Sequence, residues 1–196
     1  MKKHTITIAG LPGSGKSSTA KGVAEVLGYE HFSSGDLFRR MAEERGLSVE
    51  ELNITAEKQK EIDHAVDELL VQIGKEKNNL VIDSRTAFHW IPDSFKVFLD
   101  LDLHAAAERT FAQIQKEGRT SQAGSSLDEV YAHTVQRMES EQKRYRDLYT
   151  IEVTDKTQFD LVVDTEANNL EQVIKIVVAA YEKWLDTPNP TTSLHT

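Results

Sequence analysis

The chain has 196 residues, of which 39% are hydrophobic and 28% charged, a composition typical of one globular domain and not of a disordered chain. Its 32 acidic and 23 basic residues give a net charge of −9, which argues against a binder of nucleic acid or anionic membranes, because both need a basic surface. The absence of cysteine excludes disulfides, thiolate catalysis and cysteine-ligated zinc, and it favours a cytoplasmic protein.

Short apolar segments alternate with longer amphipathic ones along the chain. We predict strands over His4–Ala9, Tyr29–Ser33, Leu80–Asp83, Lys96–Leu101 and Asp160–Asp164. We predict helices over Gly15–Leu27, Gly35–Arg45, Thr55–Ile73, Leu103–Lys116, Leu127–Leu148 and Leu170–Leu185. Because alternating strands and helices build parallel sheets covered on both faces, the sequence predicts an α/β fold: a five-stranded parallel sheet in a three-layer sandwich.

Two segments do not fit this simple alternation of strands and helices. Residues 35–78 form a helical insertion between the second and third strands, and residues 117–126, EGRTSQAGSS, have the polar, glycine- and serine-containing composition of a mobile loop. We therefore expect one domain over residues 1–185, with a flexible tail over 186–196. The core of that domain is expected to comprise residues 1–34, 79–116 and 127–185.

The first predicted strand runs directly into GLPGSGKS, which matches the phosphate-binding pattern G-x-x-x-x-G-K-[S/T]. Its glycines let backbone N–H groups turn inward around phosphates, and the following helix adds partial positive charge. Lys16 can reach the β- and γ-phosphates, and the Ser17 hydroxyl can bind Mg²⁺. The motif predicts binding of ATP or GTP with Mg²⁺, the alternative being a glycine-rich turn that merely opens a helix. The expected phosphate-binding residues are Gly10, Leu11, Pro12, Gly13, Ser14, Gly15, Lys16, Ser17 and Ser18.

Polar residues also follow the second and third predicted strands. In SSGDLFRR, Ser34 ends a strand, Gly35 lets the chain turn into a helix, and Arg39 lies one turn further on. The third strand ends in LVIDSR, where Asp83 can hold Mg²⁺ through water and Arg85 can grip a phosphate. Since parallel strands form ligand crevices at their carboxyl ends, these groups should face the phosphate loop. A helix cap, a loop-capping carboxylate, a solvated arginine and a surface ion pair are the alternatives.

The long helix predicted after the polar loop opens with a capping-box pattern, SLDE. Leu127 and six later positions recur at helical spacing and are expected to face the core. Arg137, Glu141 and Arg144 fall on a neighbouring face, within an arc of about 60°. From the helix alone, a solvated stripe of ion pairs accounts for these three residues equally well.

Together these motifs resemble the nucleoside monophosphate kinases, and within them the short cytidylate kinases common in archaea and some bacteria. SSGDLFR is similar to the pattern S-x-G-x-x-[FY]-R, DSR stands where bacterial members have D-G-R, and QRMESEQKR is similar to their R-x-x-x-D-x-x-R face. The adenylate kinase pattern D-G-F-P-R and the aspartate pair of shikimate kinases are absent. The resemblance covers the chain from about residue 4 to residue 185.

The resemblance implies transfer of the γ-phosphoryl group of ATP, with Mg²⁺, to CMP or dCMP. The implied partners are small nucleotides, with no nucleic acid polymer and no membrane, and a monomer is expected. Lys16, Arg137 and Asp83 would be catalytic, with the metal on Ser17 and, through water, on Asp83. The residues expected to bind the acceptor are Ser34, Gly35, Arg39, Arg85, Glu141 and Arg144.

The same resemblance assigns two further arginines and identifies two departures. Arg109, in AAAERTF, matches the position whose arginine stacks on the donor adenine. The loop over residues 117–126, which contains Arg119, matches the lid of these kinases. Thr86 stands where bacterial members have an acidic residue that helps to read cytosine, and Ser84 replaces a glycine. Another small-molecule kinase, acting on UMP, AMP or a non-nucleotide, and a non-catalytic nucleotide-binding module remain the alternatives.

Overall fold

The computed structural model describes residues 4–117 and 126–187. Its strands are β1 (Thr5–Gly10), β2 (Glu30–Ser33), β3 (Leu80–Asp83), β4 (Phe95–Asp100) and β5 (Leu161–Asp164). Its α-helices are α1 (Lys16–Leu27), α2 (Ser34–Glu44), α3 (Val49–Ala56), α4 (Glu61–Glu76), α5 (Ala87–Trp90), α6 (Leu103–Glu117), α7 (Leu127–Tyr149) and α8 (Leu170–Asp186). All strand pairs are parallel, in the order β2-β3-β1-β4-β5, so the predicted five-stranded parallel sheet is confirmed.

The register of the sheet brings the ends of three strands to one place. Ile8 of β1 lies opposite Asp83 of β3, and Asp83 also lies opposite Ser33 of β2. The glycine-rich loop begins two residues after Ile8, at the carboxyl edge of the sheet. The three polar segments singled out in the sequence therefore meet at this edge, where open parallel sheets bind ligands.

Helices cover both faces of the sheet, which confirms the three layers. Ile8 is fully buried in a cluster with Val23 of α1 and Val177 of α8. The next residue, Ala9, points to the opposite face and packs in a cluster with Phe88 of α5. Side chains alternate faces along a strand, so β1 is buried on both sides and supports the loop that follows it on a rigid base.

The helix predicted over Thr55–Ile73 is wrong, because that segment belongs to two helices. α3 starts earlier, at a capping box in which Ser48 and Glu51 exchange side-chain to backbone hydrogen bonds. Leu52 of α3 and Ile62 of α4 are both buried in one cluster beside α2. Packing both residues on α2 requires the chain to bend, and no glycine or proline marks the bend in the sequence.

Three sequence predictions concern residues at or beyond the described limits. The lid predicted over 117–126 lies outside the described residues except at its two ends, and Arg119 lies outside them. α8 extends to Asp186, one residue into the predicted tail, and residues 188–196 are not described. Among the described helices, none has the length and apolar composition that crossing a membrane requires.

Candidate active site

The glycine-rich loop lies close to two neighbouring elements. Gly10, Gly13 and Gly15 have φ values of 148°, 77° and 83°, a region that favours glycine. A Cβ atom at Gly10 would lie 2.5 Å from the carbonyl oxygen of Leu99 in β4, and one at Gly13 would lie 2.8 Å from that of Ala106 in α6. These contacts and dihedral angles explain why the loop needs glycine at these positions.

Lys16 is the first residue of α1 and is half-buried beneath the loop. Its Nζ donates a hydrogen bond to the carbonyl oxygen of Leu11 at 2.7 Å. Burial and the nearby Arg85 lower the pKa of Lys16 to about 7, against the opposing effect of Asp83. An anion bound beside Lys16 would stabilise its charged form, so the surroundings of Lys16 suit a phosphate group.

Ser17 and Asp83 provide neighbouring oxygen atoms beside this lysine. The Ser17 hydroxyl donates a hydrogen bond to Asp83 Oδ2, and Ser33 Oγ donates to the same oxygen at 3.2 Å. Mg²⁺ prefers oxygen ligands and usually binds one or two protein groups together with substrate phosphates and water. The described residues hold no group of three or more acidic, histidine or cysteine side chains that could bind a metal ion. The donor set therefore fits Mg²⁺ delivered with a nucleotide.

The amino end of α2 places three predicted acceptor residues together. Ser34 is the first helical residue, and its hydroxyl donates to the carbonyl oxygen of Asp83 at 3.3 Å. Gly35 lies in the first turn of α2 and has no positive φ, and its role beside a bound acceptor stays a prediction. Arg39 forms an ion pair with Asp36 of the same helix and leaves 53% of its side chain exposed. Its guanidinium is thus ion-paired and still largely open to solvent.

Glu141 of α7 joins two of the predicted arginines. Its side chain is only 4% exposed, and it pairs with Arg85 Nε at 2.7 Å and with Arg137 Nε at 3.0 Å. Burial alone would raise the pKa of Glu141, but the two arginines hold it below its ordinary value. The solvated stripe considered for this helix is therefore wrong at Glu141. One buried carboxylate positions two cations near Lys16, leaving a net positive charge at the carboxyl edge.

Arg144 lies on the same helix but faces different partners. It is buried, and it donates through Nε to Asp63 Oδ2 at 2.9 Å and through Nη2 to Asn53 Oδ1 at 3.3 Å. In this structure Arg144 joins α7 to α3 and α4 and is not directed into the phosphate loop.

The stripe of α7 residues predicted to face the core is wrong at its start, because Leu127 is 37% exposed. The buried positions of α7 are Val130, Thr134, Glu141 and Arg144.

Arg109 belongs to the helix that packs on the phosphate loop. It lies one turn after Ala106, the residue that approaches Gly13. Its Nη2 donates to the carbonyl oxygen of Thr165 at 2.6 Å, directly after β5. Because β5 and β2 form opposite edges of the sheet, Arg109 lies on the side of the loop away from β2 and α2.

Comparison with known proteins identifies the family. A model of the AAA domain family matches residues 9–155. The cytidylate kinase of Natronomonas pharaonis is 37% identical over 182 residues, covering 90% of this chain and 90% of that protein. The cytidylate kinase of Methanosarcina mazei is 37% identical over 180 residues, covering 90% of this chain and 96% of that one. This chain belongs to the cytidylate kinase family.

Solved structures of lower identity share the fold of this cytidylate kinase family member. A shikimate kinase from Bacteroides thetaiotaomicron superposes with a TM-score of 0.61 at 18% identity, covering 93% of this chain and 98% of its own. At this identity the likeness concerns the fold alone. The resemblance to cytidylate kinases expected from the sequence motifs is confirmed by the two relatives.

One buried acid near the crevice was missed by the sequence reasoning. Asp67 of α4 accepts hydrogen bonds at Oδ1 from Thr86 Oγ1 at 3.1 Å and from Trp90 Nε1 at 2.9 Å. Thr86 is the position at which the sequence resemblance predicted a departure from bacterial cytidylate kinases. The available signal was the spacing of Asp63 and Asp67, one turn apart on the apolar side of a helix.

Proposed function

We propose that the chain transfers the γ-phosphoryl group of ATP, with Mg²⁺, to CMP or dCMP, giving ADP and CDP or dCDP. The observation that carries this proposal is the cationic cluster of Lys16, Arg85 and Arg137 around buried Glu141 at the carboxyl edge of the sheet. A site with excess positive charge suits the two anionic groups that phosphoryl transfer brings together. Membership of the cytidylate kinase family supports the choice of acceptor.

On the donor side, the inward-facing loop and the amino end of α1 would receive the β- and γ-phosphates of ATP. Lys16 would leave the Leu11 carbonyl for phosphate oxygens. Ser17, with Asp83 behind it, would hold the Mg²⁺ ion, which when bound neutralises charge on the β- and γ-phosphates. Arg109 would lie against the adenine.

On the acceptor side, Arg85 and Arg39 would hold the phosphate of CMP. Glu141 engages Arg85 through Nε, which orients the terminal nitrogens for bidentate binding. That phosphate is already ionised at neutral pH, so no strong general base is needed for its attack. Arg137, whose side chain is 40% exposed, would meet the transferring group. The remaining lone pairs on the carboxylate oxygens of Glu141 would accept hydrogen bonds from the ribose hydroxyls. Binding of a phosphate group by Arg144 stays a prediction.

Closure completes the proposal. The insertion over residues 35–78 would move with the acceptor, and the lid over 117–126 would cover the donor and exclude water, which would otherwise hydrolyse ATP. We place the activity in the cytoplasm and in pyrimidine nucleotide metabolism, with a monomer acting on free nucleotides.

A panel of acceptors at saturating Mg-ATP tests this function. The purified chain should use CMP and dCMP with kcat/KM at least about tenfold above that for UMP, AMP, GMP or shikimate, a difference of about 1.4 kcal/mol in transition-state binding. A preference for AMP or for a non-nucleotide would overturn the acceptor assignment. Absence of product with every acceptor, together with absence of CMP binding in calorimetry, would favour a non-catalytic nucleotide-binding module.

A further inference from the structure

Asp67 is one of two buried acids of this cleft, with Asp83 of the proposed metal site, that form no salt bridge within the described residues. Asp63, one turn earlier on α4, pairs with Arg144, and Glu141 pairs with two arginines. Asp67 is only 4% exposed, yet the groups described around it are neutral: the hydroxyls of Thr86 and Tyr149 and the indole of Trp90. Burial of a carboxyl among neutral groups is costly, and it raises the pKa of Asp67.

One oxygen of this carboxyl is left without a partner. Oδ1 accepts both described hydrogen bonds, whereas Oδ2 is buried with no hydrogen-bond partner among the described residues. The Tyr149 hydroxyl borders this carboxyl and opposes the rise of its pKa, and it is also hydrogen-bonded to His64 Nδ1 at 3.1 Å. Buried polar atoms in folded proteins nearly always have partners, so an orphaned carboxylate oxygen points to a donor supplied by a ligand.

The position of Asp67 fits the base of the acceptor. Thr86, which holds Oδ1, follows directly after Arg85, the proposed phosphate ligand. Trp90 and Tyr149 border the same carboxyl, and their ring centroids lie 5.0 Å apart. A base that reaches this carboxyl from a phosphate held by Arg85 would meet the edge-to-face pair of Trp90 and Tyr149, an aromatic surface on which a flat heterocycle can pack.

We propose that Asp67 is the residue that distinguishes cytosine from uracil in the acceptor, by accepting a hydrogen bond at Oδ2 from the exocyclic N4 amine. This inference rests on the proposed function. Cytosine presents an N–H₂ donor at C4, whereas uracil presents an oxygen acceptor there. The Oδ2 acceptor would form a hydrogen bond with the amine of cytosine. With uracil, Oδ2 would face the oxygen at C4, which is a second acceptor and offers no hydrogen. Sites built around such a hydrogen bond reject the analogue that lacks the donor more strongly than apolar pockets reject a change in size.

Exchange of Asp67 for its neutral isostere separates recognition from structure. Asp67→Asn retains an oxygen for Thr86 and Trp90 and replaces the free acceptor by an N–H₂ donor. We expect kcat/KM for CMP to fall at least about 30-fold, within the range of one lost base contact, while kcat/KM for UMP stays or rises. The matched control is Glu68→Gln, which neutralises the neighbouring, exposed acid of α4 and should leave both values unchanged.

A base analogue tests the contact itself. The 5′-monophosphate of 2-pyrimidinone riboside is CMP without its amine, and the native chain should discriminate against it by the same factor of about 30 or more. The Asp67→Asn variant should show no preference for CMP over this analogue, because its amide N–H₂ offers the amine of CMP no acceptor. Equal losses for CMP, UMP and the analogue in Asp67→Asn would mean that Asp67 only supports the fold, and they would overturn the inference.

The failures of the two proposals are distinguishable. If the native chain shows no preference for CMP over UMP, the proposed function and this inference both fail. If the native chain prefers CMP and Asp67→Asn keeps that preference, only this inference fails. Should Asp67→Asn not fold, as judged by thermal unfolding, Thr86→Val keeps the carboxyl but removes the hydroxyl that positions it. That variant should lower the CMP-to-UMP ratio by a smaller factor, and an unchanged ratio would overturn the inference.

Discussion

Helix α7 carries two buried charged residues less than a turn apart, and their surroundings differ in charge balance. Glu141 faces the phosphate loop and is shared by two arginines, with Lys16 nearby. Arg144 faces α3 and α4, where it pairs with one aspartate and also bonds an amide and a hydroxyl. The first group keeps an excess of positive charge, whereas the second is neutral and internally satisfied.

This difference separates a binding role from a supporting one. Burying charge costs free energy unless partners compensate it, so an unbalanced cluster is retained when a ligand completes it. The junction around Arg144 needs no ligand to be satisfied, and it fixes α7 to the segment between β2 and β3. We therefore expect substitutions at the phosphate-loop edge to change catalysis, and substitutions at the junction to change stability.

The largest expected effect is at Lys16. Lys16→Ala should lower kcat by about 10³-fold or more at saturating Mg-ATP, the scale of losing a positioned cation in phosphoryl transfer. Its unfolding midpoint should stay near that of the native chain, because burial already disfavours the charge on Lys16. Lys21→Ala, at an exposed position of α1, is the control for both measurements. A native kcat in Lys16→Ala would show that the cationic edge is not catalytic.

The next effect is on stability, at the junction. Arg144→Met leaves Asp63 buried without its partner, and urea unfolding should show a loss of about 3–5 kcal/mol. Combining it with Asp63→Leu should recover much of that loss, since the uncompensated charge is gone. Lys175→Met, which breaks an exposed i,i+4 pair with Glu171, should cost no more than about 0.5 kcal/mol. A stable Arg144→Met variant with a raised KM for CMP would instead place Arg144 in the acceptor site.

Steady-state kinetics should then separate the roles of two arginines that are proposed to contact phosphate groups, Arg137 and Arg39. Arg137→Ala should lower kcat by about 10²- to 10³-fold, because its cation would act on charge that develops during transfer. Arg39→Ala should chiefly raise KM for CMP, by about tenfold, since it would contact the acceptor phosphate throughout the cycle. Steady-state rates with CMP varied at saturating Mg-ATP measure both values. Normal turnover in Arg137→Ala would make its ion pair with Glu141 purely structural.

The smallest effect is a pH dependence of stability at Asp67. Its pKa in the folded chain is raised above the ordinary 3.8, mainly by burial, so ionisation favours the unfolded state. That cost is fully present above the raised pKa and disappears as the pH falls below 3.8. Asp67→Asn should therefore be more stable than the native chain at pH 8, and this advantage should shrink by pH 4. Urea unfolding across that range measures it, and an advantage that grows on acidification would contradict the assignment.

Most of the nucleotide-binding edge could be predicted from the sequence because its geometry is local. GLPGSGKS sets its own turn through glycines at 10, 13 and 15, and it joins a strand to a helix without help from distant residues. The positions of Asp83 and Arg85 followed almost as directly, since parallel strands of similar length must end at one edge. Helical spacing likewise placed Arg137 and Glu141 on one face.

Only the tertiary structure decided which partners these charges have. Arg144 shares the spacing of Arg137 and Glu141, yet its aspartate lies 81 residues away in the chain, on a helix whose position depends on packing against α2. The break between α3 and α4 arises from the same packing, and it brings Asp67 beside Thr86. Sequence periodicity fixes the face of a helix on which a side chain lies. The neighbours of that face are set by long-range packing of apolar side chains, which here determines whether a buried charge binds a ligand or holds the fold.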